Sequence, residues 1–99
     1  MCSIDSIKSA VREVLSGRDV REAWLFGSFA RGEETDESDV DLRLVCGPTI
    51  RYGDLYRISL DLGKRLNRRI DIVTNPIERM RPTFRDRVLA DQVMIYAAA

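Results

Sequence analysis

Residues 27–41 read GSFARGEETDESDVD and separate two apolar runs of different character. Upstream stands Ala23-Trp24-Leu25-Phe26, four consecutive apolar residues that read as the end of a strand entering a buried sheet. Gly27 closes that run. Residues 28–31 are too few for an independent helix but enough for one turn, with its free backbone N–H groups directed outward. Residues 33–38, EETDES, are polar and acidic and read as a loop. Downstream, Val40, Leu42 and Leu44 alternate with Asp39, Asp41, Arg43 and Val45, the period-two pattern of a strand with one face in a core. Asp39 and Asp41 therefore share the other face.

The remainder of the chain supplies helices and further strands around this stretch. Ile4, Ile7, Val11, Val14 and Leu15 recur at helical spacing over residues 4–16, with Ser3 able to cap the start and Gly17 to stop it. Residues 19–26 are the first strand. Cys46-Gly47-Pro48 ends the second, because proline cannot continue a ladder. Leu55, Ile58, Ser59, Leu62 and Leu66 define a longer helix over residues 52–66, with Lys and Arg near its end where the dipole favours cations, and Asn67-Arg68 forms the turn after it. Ile70, Ile72, Val73 and Thr74 read as a third strand that holds Asp71 on the face opposite Ile70 and Ile72. Residues 79–89 are expected to be helical after Pro82, and residues 93–96 to form a short last strand before the frayed or truncated end Ala97-Ala98-Ala99. Alternating helices and strands of this length predict an α/β or α+β domain with a short mixed sheet.

Ninety-nine residues make one small domain, residues 1–99, without a second lobe for a large substrate. Hydrophobic residues at 44% and charged residues at 32% are those of a globular protein, and no apolar run approaches the length of a membrane span. Asp5, Lys8, Arg12 and Glu13 break up any signal-peptide pattern, which predicts a cytoplasmic protein. Zero formal net charge argues against direct nucleic-acid binding through a broad basic surface. The halves are nevertheless opposite: residues 1–50 carry 6 Lys+Arg against 10 Asp+Glu, and residues 51–99 carry 10 against 6. Cys2 and Cys46 make no CxxC pair and histidine is absent, which excludes the usual zinc sites and imidazole catalysis and leaves oxygen-ligand metal chemistry.

Two residues on a strand lie about 6.6 Å apart on one face, so Asp39 and Asp41 can converge on a pair of cations about 3.5–4 Å apart. Asp71 can supply a third carboxylate if its strand is a neighbour. Hard oxygen ligands favour Mg²⁺, with Mn²⁺ as a substitute. Gly27 permits close approach of the backbone to a phosphate that Ser28 and the following N–H groups can bind. Each feature has an ordinary structural reading too: an exposed strand end, a strand edge, a strand-to-helix turn.

Taken together, Gly27-Ser28, Ala30-Arg31-Gly32, Ser38-Asp39-Val40-Asp41-Leu42 and Ile70-Asp71-Ile72-Val73 resemble the signature of the DNA polymerase beta nucleotidyltransferase superfamily. The whole length is similar to its minimal nucleotidyltransferases, the antitoxins of HEPN/MNT toxin–antitoxin pairs. That resemblance implies the polymerase-beta-like fold and transfer of AMP from ATP, with loss of pyrophosphate, to a hydroxyl of a HEPN-family toxin, tyrosine being the expected acceptor. It implies two Mg²⁺ ions on Asp39 and Asp41, with Asp71 holding the catalytic ion and helping to deprotonate the acceptor. Gly27 and Ser28 would hold the nucleoside triphosphate. Arg31 would either contact phosphate or pair with Glu33, Glu34 or Asp36. A hetero-oligomer with the partner is expected. Two other readings stand beside it: a binding module that neutralises its partner by occlusion, and a small-molecule nucleotidyltransferase. The segment carrying Arg79, Arg81, Arg85 and Arg87 faces solvent, an acidic partner or the triphosphate.

Overall fold

A computed structural model of the chain describes residues 2–98; Ala99 of the closing alanines lies outside them. The elements follow the periodicities closely. Helix α1 spans Ile4–Leu15, capped by Ser3, whose hydroxyl accepts from the Ser6 N–H while Ser6 returns the bond. Strand β1, Val20–Phe26, leads to the four-residue helix α2, Ser28–Arg31, and then to β2, Val40–Cys46. Helix α3 runs Tyr52–Leu66 and ends at Asn67, which takes the left-handed conformation that closes the helix. Strand β3 is Ile70–Val73, helix α4 is Pro82–Asp91 and strand β4 is Val93–Ala97. The fourth helix thus begins three residues later than residue 79: Ile77–Arg79 form a separate 3-10 turn, and Pro82 takes the first helical position, where its missing N–H has no partner to lose.

The four strands make one mixed sheet in the order β3-β2-β1-β4. β1 is antiparallel to both β2 and β4, whereas β2 and β3 run parallel, joined through α3. This α+β architecture is the one the sequence resemblance implies.

The two faces of the sheet differ sharply. On one, Val40, Leu42 and Leu44 of β2 and Val20, Ala23 and Leu25 of β1 are buried against Ile7, Val11 and Leu15 of α1 and Ile58 and Leu62 of α3. This is the main core, and Phe29 of α2 joins it at 1% exposure. On the other face a small second cluster, Phe26, Met80 and Val88, seats α4. Val73 and Ile77 pack at its margin. No helix of the described residues is long and apolar enough to cross a membrane.

Candidate active site

The β2 pleat sends Val40 and Leu42 into the core and leaves Asp39 and Asp41 on the face that α4 only partly covers. β3 repeats the arrangement, Ile70 and Ile72 packing inward while Asp71 and Val73 face the other way. Parallel register puts Asp71 directly beside Asp41, and antiparallel register puts Phe26, the residue before Gly27, on the opposite side of Asp41. The strand ends thus bring the three aspartates and the Gly-Ser turn to one place. They include residues thirty positions apart in sequence only because α3 returns the chain in parallel.

Gly27 has φ +78°, a left-handed value that disfavours any side chain, and a methyl group built on it would overlap the Asp41 carboxylate. The turn and the carboxylate are therefore in contact through the space a Cβ would fill. Ser28 opens α2, whose first amides, like those of any helix, have no partner within it.

Electrostatics in this corner are adverse. Burial raises the Asp41 carboxyl above its ordinary value, and the neighbouring charges of Asp71 and Asp39 raise it further. Arg69, at the entry to β3, stands between the other two carboxylates, its Nε 3.8 Å from Asp39 Oδ2 and 3.7 Å from Asp71 Oδ1. Among the described residues no three acidic, thiol or imidazole side chains close into a ready-made metal cage. The donor chemistry nevertheless fits a hard divalent cation: oxygen ligands only, like charges crowded on adjacent strands, and one positive group already drawn between them.

Arg31 is placed differently from the other expected phosphate ligands. Its Nε donates to Glu33 Oε1 at 2.8 Å and its Nη1 to Asp91 Oδ2 at 2.7 Å, and these two bonds raise its pKa. Of the pairings expected, only Glu33 is made; Glu34 and Asp36 do not reach it. Asp91, at the end of α4, has no local signal that would have announced it, being far away in sequence.

Two further residues support the site. Arg68 Nη1 donates to the carbonyls of Thr35 at 2.8 Å and Ser38 at 3.0 Å, and its guanidinium lies 5.3 Å from the ring centroid of buried Phe29. It ties the acidic loop and α2 to the start of β3. Arg43, on the aspartates' face, is buried at 8% exposure, its Nε and Nη2 donating to Gln92 Oε1 at 3.2 and 3.0 Å and its guanidinium 5.3 Å from the Trp24 ring centroid. The adjacent Arg68-Arg69, so close to Asp71, was the available signal for the first; a turn reading concealed it.

The family described as polymerase beta, nucleotidyltransferase matches residues 9–99. A candidate protein adenylyltransferase of Methanocaldococcus jannaschii is 31% identical over 91 residues, which cover 92% of this chain and 96% of the relative. Among solved structures, a chain of one described as a toxin–antitoxin with AMP-PNP superposes with TM-score 0.73 at 16% identity, covering 92% of this chain and 73% of that one. A complex described as a tri-AMPylated Shewanella oneidensis HEPN toxin with MNT antitoxin gives TM-score 0.67 at 13% identity, covering 96% and 73%. These last two likenesses are likenesses of fold.

Proposed function

The chain belongs to the polymerase beta nucleotidyltransferase family, and on that premise we propose that it is a single-domain enzyme, residues 1–99, that transfers AMP from ATP to a tyrosine hydroxyl of a HEPN-family partner, thereby acting as an antitoxin in the cytoplasm. The observation that carries this reading is the meeting of Asp41, Asp71 and Gly27 at one corner of the sheet. The acceptor oxygen attacks the α-phosphorus of ATP, the bond to the β-phosphate oxygen breaks, pyrophosphate departs and the acceptor proton is lost. Asp39, Asp41 and Asp71 would hold two Mg²⁺ ions, or Mn²⁺ in their place, whose chemistry when bound is to offset the charge on the phosphates and the entering oxygen. Asp71 accepts the acceptor proton. Gly27 leaves room for a phosphate against the backbone, and Ser28 donates its hydroxyl. Arg31 reaches the triphosphate by exchanging Asp91 for phosphate oxygens. The kinship with a candidate protein adenylyltransferase, and the fold shared with a chain crystallised with AMP-PNP and with one bound to an AMPylated HEPN toxin, support donor and partner alike.

The test is intact-mass measurement of a co-expressed HEPN partner after incubation with ATP and Mg²⁺. Each transferred AMP adds one adenylyl mass, and Asp39→Asn or Asp41→Asn lowers the rate about a thousandfold or more, ~4 kcal/mol of barrier. Neutralisation of the partner by the Asn variants with no mass change would instead identify occlusion as the mechanism.

A further inference from the structure

The basic segment after β3 has no role in the site as described, yet it borders that site. Phe84 of α4 packs edge-on against Phe26, ring centroids 5.8 Å apart, and Phe26 is the register partner of Asp41. Asp91 at the other end of α4 holds Arg31. The helix therefore lies along the sheet face that carries the aspartates.

α4 is lightly seated. Val88 is its one buried residue, and Phe84 and Leu89 stay exposed at 37% and 50%. Val93 and Met94 continue the exposed apolar surface into β4 at 40% and 42%. Around Phe84 the charge is positive. Arg81 and Arg87 stand three residues to either side of it, one helical turn away, and Arg79 lies just upstream. All three arginines are exposed, and among the described residues none of them makes an ion pair; Arg85 meets only Asp86, at 3.9 Å. Arginine beside exposed aromatic and aliphatic side chains is the composition of an interface centre.

The loop between α2 and β2, which leads into the site at Asp39, has the contrary sign. Residues 33–41 contain Glu33, Glu34, Asp36, Glu37, Asp39 and Asp41 and no basic residue. An extended polyanion such as a nucleic acid would be repelled along that loop. A short acidic segment is repelled from the loop and drawn to α4, which leaves a hydroxyl within it facing the aspartates.

We propose that the α4 surface formed by Arg81, Phe84 and Arg87 docks the acceptor protein, and that its occupant is an acidic segment around the hydroxyl that receives the nucleotide. This rests on the adenylyltransfer reading above and adds what that reading lacks, the chemistry of the acceptor.

The probe is a fluorescein-labelled random copolymer of glutamate and tyrosine, with a lysine–tyrosine copolymer and a single-stranded oligoribonucleotide as counter-probes, each titrated with the full chain and followed by anisotropy. The acidic copolymer is expected to bind and the lysine copolymer not. Arg81→Glu/Arg87→Glu weakens binding at least about tenfold, while Arg57→Glu/Lys64→Glu on α3, which changes net charge equally, leaves it within about twofold. The Mg²⁺–ATP thermal shift remains that of the parent in both variants, and Arg81→Gln/Arg87→Gln gives a smaller loss of the same sign should the reversal impair folding. Equal losses from the α3 and α4 pairs, no binding of the acidic copolymer, or tighter binding of the oligoribonucleotide each overturns the proposal. Copolymer that binds at α4 but accepts no AMP supports the docking surface and counts against the transfer reading alone.

Discussion

One face of the sheet is a continuous apolar cluster that joins β1, β2, α1 and α3, and the other carries three aspartates, a buried arginine and a three-residue cluster under α4. Adjacent residues of a single strand serve the two: Leu42 is fully buried among aliphatic side chains, while Asp41 beside it is pressed against like charges. The difference shows how ninety-nine residues can support a self-repelling site. Period-two alternation lets the core face absorb the instability of the other face without sharing any side chain with it.

The sharpest way to break this division is to exchange effects between the neighbours. The Asp41→Asn loss of about a thousandfold in transfer must come with a folded protein, whereas Leu42→Ala must cost about 3–4 kcal/mol in urea unfolding with the turnover of the remaining folded fraction nearly unchanged. If Leu42→Ala lowered turnover as far as Asp41→Asn, the faces would not be independent. Gly27→Ala tests where they meet. A methyl group at φ +78° would press on Asp41, so a loss of about 1–3 kcal/mol in stability is expected together with weakened Mg²⁺–ATP binding. A variant that retains parental nucleotide binding would detach the turn from the carboxylates.

The smallest effect has the most diagnostic sign. Because burial and its neighbours raise the Asp41 carboxyl, the folded chain holds that proton more tightly than the unfolded chain does. This contribution to stability is full below the ordinary value of 3.8 and is lost as pH rises through the raised folded value. Asp41→Asn removes the loss and should melt higher than the parent near neutral pH, by on the order of a few degrees, with the gap closing in acid. Melting curves across the pH range decide it: an Asn variant that melts lower at neutral pH would show that Asp41 is stabilised in place.

The elements and the placement of Asp39 and Asp41 on one face could be read from periodicity because alternation and helical spacing are local. So could the inward packing of Ile70 and Ile72, which leaves Asp71 on the side away from the core. Long-range choices were not legible. Nothing near Arg31 points to Asp91, and nothing in the β2 pattern distinguishes Arg43, buried beneath Trp24 and Gln92, from a solvated strand arginine. Both depend on where α4 comes to rest, and α4 carries only Val88 as a fully buried anchor, too little apolar signal to announce its packing. At the start of α4 the composition is helical from Arg79 onward, but Pro82 sets the first helical position, as its sequence signal indicates, and Ile77–Arg79 form a separate turn.

The parallel pairing of β2 with β3 has a consequence in time. The Gly-Ser turn, Asp39 and Asp41 leave the ribosome early, but Asp71 can join them only after α3 has been made and has docked. A nascent chain that ends between Asp41 and Asp71 carries the Gly-Ser turn without the third carboxylate. On the reading proposed above, catalytic competence arrives late in synthesis, as the outcome of a long-range closure, and an interrupted translation product that stops before β3 is expected to be inert.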